Sequence, residues 1–182
     1  MTDNKGTFRR VVTGHDANGR SCVICDSAAP NRFPRPSGSI FNEMWMIEDM
    51  PAPLKGNQDF GAAGRPMLHS PPPAGANWRI TYSPGPPVQT DADIKKEKEL
   101  HQIEAASGTE RMQGGRHWKM HRTPSVDYAA CLLGERILVL EDSDVVIRKG
   151  DIVIQLGNWH SWDSRSPDPA VMSYVMIGGE YG

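Results

Sequence analysis

Three side chains in the C-terminal third of the chain have the types and spacing to do chemistry together: His121, Asp127 and His160. Two imidazoles and a carboxylate suit divalent iron, manganese, zinc, nickel or copper. On one face, such a set leaves positions open for substrate or water. A metal held there would polarise a carbonyl or carboxylate as a Lewis acid. Lys119 precedes His121 by two residues, and Tyr128 follows Asp127 directly. Either side chain could move a proton, and Lys119 could also bind a substrate anion if burial lowered its pKa. If HWKMHR is a strand, His117, Lys119 and His121 share one face. His117 and His121 would then lie roughly 13 Å apart, too far to share a metal. His15, His69 and His101 fall in turn, loop and helix contexts and read as inert surface residues.

The elements that must position these residues are mostly strands. From residue 116 onward, HWKMHR, VDYAACLLG, RILVLED, DVVIRKGDIVIQLG and VMSYVMIG follow one another. Turn signals separate them at Thr123-Pro124, Gly134-Glu135, Asp142-Ser143, Lys149-Gly150 and Ser166-Pro167. Short strands at this spacing point to an all-β sandwich or barrel. Upstream, 7–14, 20–26, 40–48 and 77–82 read as strands, while 27–38 and 50–76 read as proline-rich loops. Thr90 to Ala106 is the one helix: Thr90 caps it, Asp91 and Asp93 favour its first turn, and Gly108 follows its end. Its Lys and Glu run reads as a solvated face, with the helix covering the barrel and carrying no chemistry.

The chain has 182 residues and a formal net charge of -2. That length fits one structural domain, read as N-terminal strands, loops and helix (1–115) packing on a C-terminal barrel (116–182). The near-neutral charge leaves no footprint for nucleic acid or an acidic membrane surface. No apolar run approaches the roughly 20 residues of a membrane span, and the first residues, MTDNKGTFRR, carry no apolar signal core. A cytoplasmic location follows as the expectation. Cys22, Cys25 and Cys131 are odd in number and lack a second CxxC, so they read as free thiols.

Two short motifs resemble those of the cupin superfamily. In the first, Asp127 is followed by six residues and then Gly134, which places it where that family has its carboxylate ligand. His121 lies near the second histidine of the family's His-x-His pair, and Lys119 stands where the first would be. In the second, Gly150 opens the segment and Gly157-Asn158-Trp159-His160 matches Gly-x-x-His. Met120-His121-Arg122-Thr123, Asp127-Tyr128 and Gln155-Leu156-Gly157-Asn158-Trp159-His160-Ser161-Trp162 also look like a subgroup of small cupins. The chain departs from the family in the spacing of His121 to Asp127, the Asp in place of Glu, the missing proline of the second motif, and Ser164 in place of asparagine.

The resemblance implies a double-stranded β-helix of jelly-roll type. It also implies a divalent metal on His121, Asp127 and His160, a small-molecule substrate, and a homodimer. The activity implied is Lewis-acid chemistry on a small oxygenated substrate, of decarboxylase, dehydratase, isomerase or lyase type. A non-haem iron dioxygenase and a non-catalytic small-ligand-binding barrel are the alternatives.

Overall fold

The computed structural model describes residues 6–86, 89–105 and 108–182. The strands are β1 (Arg9–His15), β2 (Ser21–Ala28), β3 (Asn31–Pro34), β4 (Ile40–Ile47) and β5 (Ala76–Ser83) before helix α1 (Asp91–Ala105). After it come β6 (Glu110–Arg111), β7 (His121–Arg122), β8 (Ser125–Leu133), β9 (Glu135–Val139), β10 (Asp144–Arg148), β11 (Ile152–Leu156), β12 (Ser161–Asp163) and β13 (Ala170–Gly178). The all-β expectation holds. The main sheet has six strands in the order β11-β8-β13-β5-β4-β3, and a second has three in the order β10-β9-β12. Every registered pair is antiparallel.

The six-stranded sheet runs across residue 116 without a break, because β5 pairs with β13 along its whole length. The N-terminal strands therefore complete the sheet. A one-residue corner between β8 and β9 joins the two sheets at Gly134, whose φ of +66° places it in the left-handed region; a Cβ there would stand 2.3 Å from the Pro169 carbonyl oxygen. Between the sheets, Ala129, Cys131, Leu138, Ile147 and Met172 form one apolar cluster. Ala29, Met44, Ile80, Tyr82 and Val171 form another, with Ile80, Tyr82 and Val171 on the face of the six-stranded sheet turned away from the cavity.

Three local expectations are corrected. Within 27–38, residues 31–34 form edge strand β3 along β4. An edge position tolerates Pro34, which has no N–H to give to a ladder. HWKMHR is a turn up to Met120, with only His121 and Arg122 extended. The His117 ring takes the Lys119 N–H at 3.2 Å and the His117 carbonyl takes the Met120 N–H at 3.0 Å, so local bonds displace the strand. His117, Lys119 and His121 thus share no strand face. Helix α1 begins as expected: the Asp93 amide donates to Thr90 Oγ1 and the Thr90 amide to Asp93 Oδ2. Of its expected end, Ala106 lies outside the described residues.

The charged run of α1 is not all solvated. Glu97 and Glu104 are buried and both pair with Arg35, which follows β3. A helix so poor in apolar residues has little hydrophobic face to dock with, and this buried ion-pair cluster takes that role. Among the described residues no helix is long and apolar enough to cross a membrane. The cysteines Cys22, Cys25 and Cys131 are all free.

Candidate active site

The two sheets and α1 enclose a cavity of about 120 Å³. Its wall includes His121, Asp127, His160 and Lys119. The first motif delivers His121 on β7, and the second delivers His160 just before β12. The two residues exchange both backbone hydrogen bonds at 2.9 Å, a bridge that fixes their side chains next to one another. Gly157 turns the chain three residues before His160. Its φ is +65°, and a Cβ would press on Tyr181 at 3.0 Å.

The imidazoles of His121 and His160 have ring centroids 4.5 Å apart. Nδ1 of His121 faces the Lys119 carbonyl at 2.9 Å, and Nδ1 of His160 faces the Asn158 carbonyl at 3.0 Å. A carbonyl can only accept, so each Nδ1 carries the proton and each Nε2 keeps its lone pair. Burial holds the His160 pKa down at about 4, with the Arg111 charge adding to it. Burial pushes His121 well below the usual histidine range, helped by the His160 and His69 rings and by Arg111. Both rings are therefore neutral at neutral pH, the form in which imidazole binds metals.

His69 is the residue that sequence reasoning placed wrongly. It is buried, lines the cavity, and sets its ring edge-on to His121 with centroids 4.6 Å apart. Its Nδ1 lies 3.6 Å from the Glu104 carboxylate, and burial drives its pKa well below the usual value. His101 also lines the cavity, with Nε2 3.4 Å from Glu97. Burial lowers the His101 pKa. For Glu97 burial acts upward, but the His101 ring, Arg35 and Lys119 outweigh it and hold that carboxyl at about 2. Neither histidine is an inert surface residue, and α1 supplies part of the site.

Asp127 lies on the same wall but keeps other company. Ser125 Oγ donates to it at 2.6 Å. Burial raises its pKa, opposed by Ser125 and by the Arg79 charge. Among the described residues no three or more His, Cys, Asp and Glu side chains already stand arranged to hold a metal ion. The pair His121 and His160 fits a metal's donor chemistry, since backbone carbonyls orient both rings as an outer shell does in metal proteins. His69 is the nearest third imidazole.

Lys119 lines the cavity, with its ammonium 5.0 Å from the Trp118 ring centre. Burial lowers its pKa. Tyr128 does not reach it: β8 alternates, so Asp127 points inward while Tyr128 stands on the outer face, 48% exposed. Tyr174 on β13 is the tyrosine of the cavity, and burial raises its pKa so that its hydroxyl stays protonated. Sequence reasoning also missed Arg136 and Gln155, which line the cavity from β9 and β11.

No family model matches the chain. Two proteins of Diaporthe leptostromiformis are similar to it, each over 164 residues that make up 88% of this chain and 72% of the relative. Phomopsin biosynthesis cluster protein D is 27% identical, and Phomopsin biosynthesis cluster protein C' is 25% identical. Among solved structures, a Salmonella typhimurium LT2 protein described as ethanolamine utilization protein Q is 9% identical, covers 96% of this chain and 98% of its own, and gives a TM-score of 0.47. The Cnp3 cupin domain of Schizosaccharomyces pombe is 9% identical, covers 93% and 87%, and gives 0.45. Likenesses at this level speak to no activity or substrate. The chain's own architecture, two antiparallel sheets with a histidine-bearing cavity between them, is the one that the cupin resemblance implies.

Proposed function

We propose that this protein is a metal-dependent enzyme acting on a small oxygenated molecule in the cavity between its sheets. The observation that carries this reading is the imidazole group: His121 and His160 are paired by backbone bonds, held neutral, and oriented through Nδ1. In this reading His121 and His160 hold the metal and His69 completes the set. Asp127, expected as the carboxylate ligand, stays with Ser125. A divalent metal bound there would supply Lewis-acid polarisation of a carbonyl or carboxylate oxygen.

The chain's own groups do the rest. Asp127, desolvated and raised in pKa, is placed to take or return a proton at a substrate carbon or hydroxyl. The Tyr174 hydroxyl, kept protonated, donates a hydrogen bond to charge that develops on oxygen. Lys119 adds a positive charge at the wall. The cavity, at about 120 Å³, admits a substrate of roughly six non-hydrogen atoms or fewer, judged against a cavity of about 150 Å³ that takes up benzene. The two relatives named for a biosynthesis cluster fit a role in small-molecule chemistry.

A second reading, a barrel that binds a small ligand without turning it over, is favoured by the incomplete donor arrangement. Metal content of protein purified without added metal separates the two. Near-stoichiometric zinc or manganese, lost in a His121→Ala/His160→Ala variant, supports the Lewis-acid enzyme. Stoichiometric iron lost in the same way moves the reaction to oxygenation. Metal absent from wild type, or fully retained in the double variant, leaves the binding barrel.

A further inference from the structure

Arg136 has no ion-pair partner among the described residues. It lies on β9 on the same side as Leu138, a core residue, so its side chain enters the space between the sheets. Its Nη1 donates to Ser164 Oγ, while its Nε is enclosed with no hydrogen-bond partner. The carboxylate nearest in influence, Asp163, is committed to Arg165 at 2.9 Å and to the Ser164 amide at 2.8 Å.

Gln155 is the second unsatisfied group. It is the inward residue of β11, buried, and both its amide oxygen and its amide nitrogen lack a partner. Each such group carries a desolvation cost while it is left unpaired. The other charges of the wall do not make up the deficit. Arg79 is paired with Glu43, Glu97 with Arg35, and Asp127 takes the Ser125 hydroxyl. Arg136 therefore leaves the cavity wall with a buried cation that makes no ion pair among the described residues and, with Gln155, with unmade hydrogen bonds, which an anionic ligand of the right size would supply.

We propose that the substrate or ligand is a small carboxylate, anchored by the Arg136 guanidinium with the Gln155 amide beside it. A planar fork of N–H donors matches a carboxylate, and an amide satisfies one more of its oxygens. Recognition at Arg136 needs no metal. The assignment deepens the proposed function by naming the substrate class, and only its catalytic part rests on that reading.

The test is calorimetric titration of metal-stripped protein with acetate, pyruvate, malonate and succinate. Pyruvamide and succinamide serve as uncharged counterparts of the same shape, and inorganic phosphate as the competing oxyanion. At least one carboxylate should bind saturably, and tenfold or more tighter than its amide and than phosphate. Arg136→Met should weaken it tenfold or more, and Gln155→Leu severalfold. If Arg136→Met does not fold, Arg136→Lys, which keeps the charge and loses the fork, should still weaken it severalfold. Because the titration uses metal-stripped protein, failure of the metal reading leaves this result standing, and the two readings fail separately. Equal binding of amide and acid, preference for phosphate, no saturable binding by any of the four acids, or unchanged affinity in both Arg136→Lys and Gln155→Leu overturns the proposal.

Discussion

The six-stranded sheet carries two adjacent rows of side chains that have exchanged their usual places. One row, running Gln155, Asp127, Met176 and Asn77, faces the cavity and the core. The next, running Ile154, Tyr128, Val175, Trp78 and Trp45, faces outward. An antiparallel sheet with one wet face normally puts its apolar row inside. Here the inside row is the more polar one, and β11 turns Ile152, Ile154 and Leu156 to solvent at 66%, 62% and 74% exposure. Burying unsatisfied amides and carboxyls costs free energy that a merely structural core would avoid. In the proposed function this polar inner face is the ligand site. The inversion also leaves an apolar outer patch of the kind that marks an association surface.

The largest effect is expected on the inner side. Removing both His121 and His160 should lower metal affinity by two orders of magnitude or more, because one remaining imidazole is a poor site. His69→Ala should weaken it less, roughly tenfold, as loss of one outer or third ligand does. Metal titration followed by dialysis and elemental analysis reads both.

Next comes the helix that closes the cavity. Arg35→Met removes the guanidinium that the buried Glu97 and Glu104 share. Breaking such a pair costs about 3–5 kcal/mol. Hydrogen exchange should show α1 losing protection before the sheets do.

Acid should weaken the metal-free protein through the same inner face. His160 has a folded pKa of about 4, below the 6.5 of an unfolded histidine. Between those values the unfolded chain binds the extra proton, so stability falls as pH drops from 6.5 towards 4. The loss from His160 alone is about 3 kcal/mol, with His69 and His121 adding in the same direction. Urea melts at pH 7 and pH 4.5 measure it. Bound metal should flatten the dependence at moderate pH.

The outer face should respond least. Tyr128→Phe should change neither metal affinity nor carboxylate binding, and stability should stay within about 0.5 kcal/mol. Sedimentation at micromolar concentration examines the homodimer expected from the cupin resemblance. A charge at Ile154, as in Ile154→Lys, would push any dimer that uses this face towards monomer.

The same inversion explains what the sequence hid. Strands 40–48 and 77–82 and the hairpins after residue 125 are legible because alternation and Gly or Pro turns speak for themselves. So is α1, from its Thr90 to Asp93 capping pattern. His121 and His160 stand out because glycine-bearing motifs set them on facing turns. In IVIQL, however, both faces are apolar enough that a period of two cannot say which turns inward, and Gln155 looks like the outside residue. Arg136 in RILVL gives a partial signal, since it shares parity with Leu138. His69 lies in a proline-rich segment, far from the motifs in sequence, and only the closing of the sheets brings it to His121. Tyr128 misleads by adjacency, because the residue next to an inward carboxylate on a strand points the other way.

The most direct test is residue-resolved. Protein labelled with ¹⁵N in its histidine rings carries six imidazoles, and their Nε2 signals can be followed as zinc is added to metal-free protein. The account predicts that His121 and His160 shift together at one equivalent, that His69 shifts with them, and that His15, on β1, is unmoved. Zinc that shifts His15 first, or that leaves both His121 and His160 unmoved at one equivalent, would contradict it.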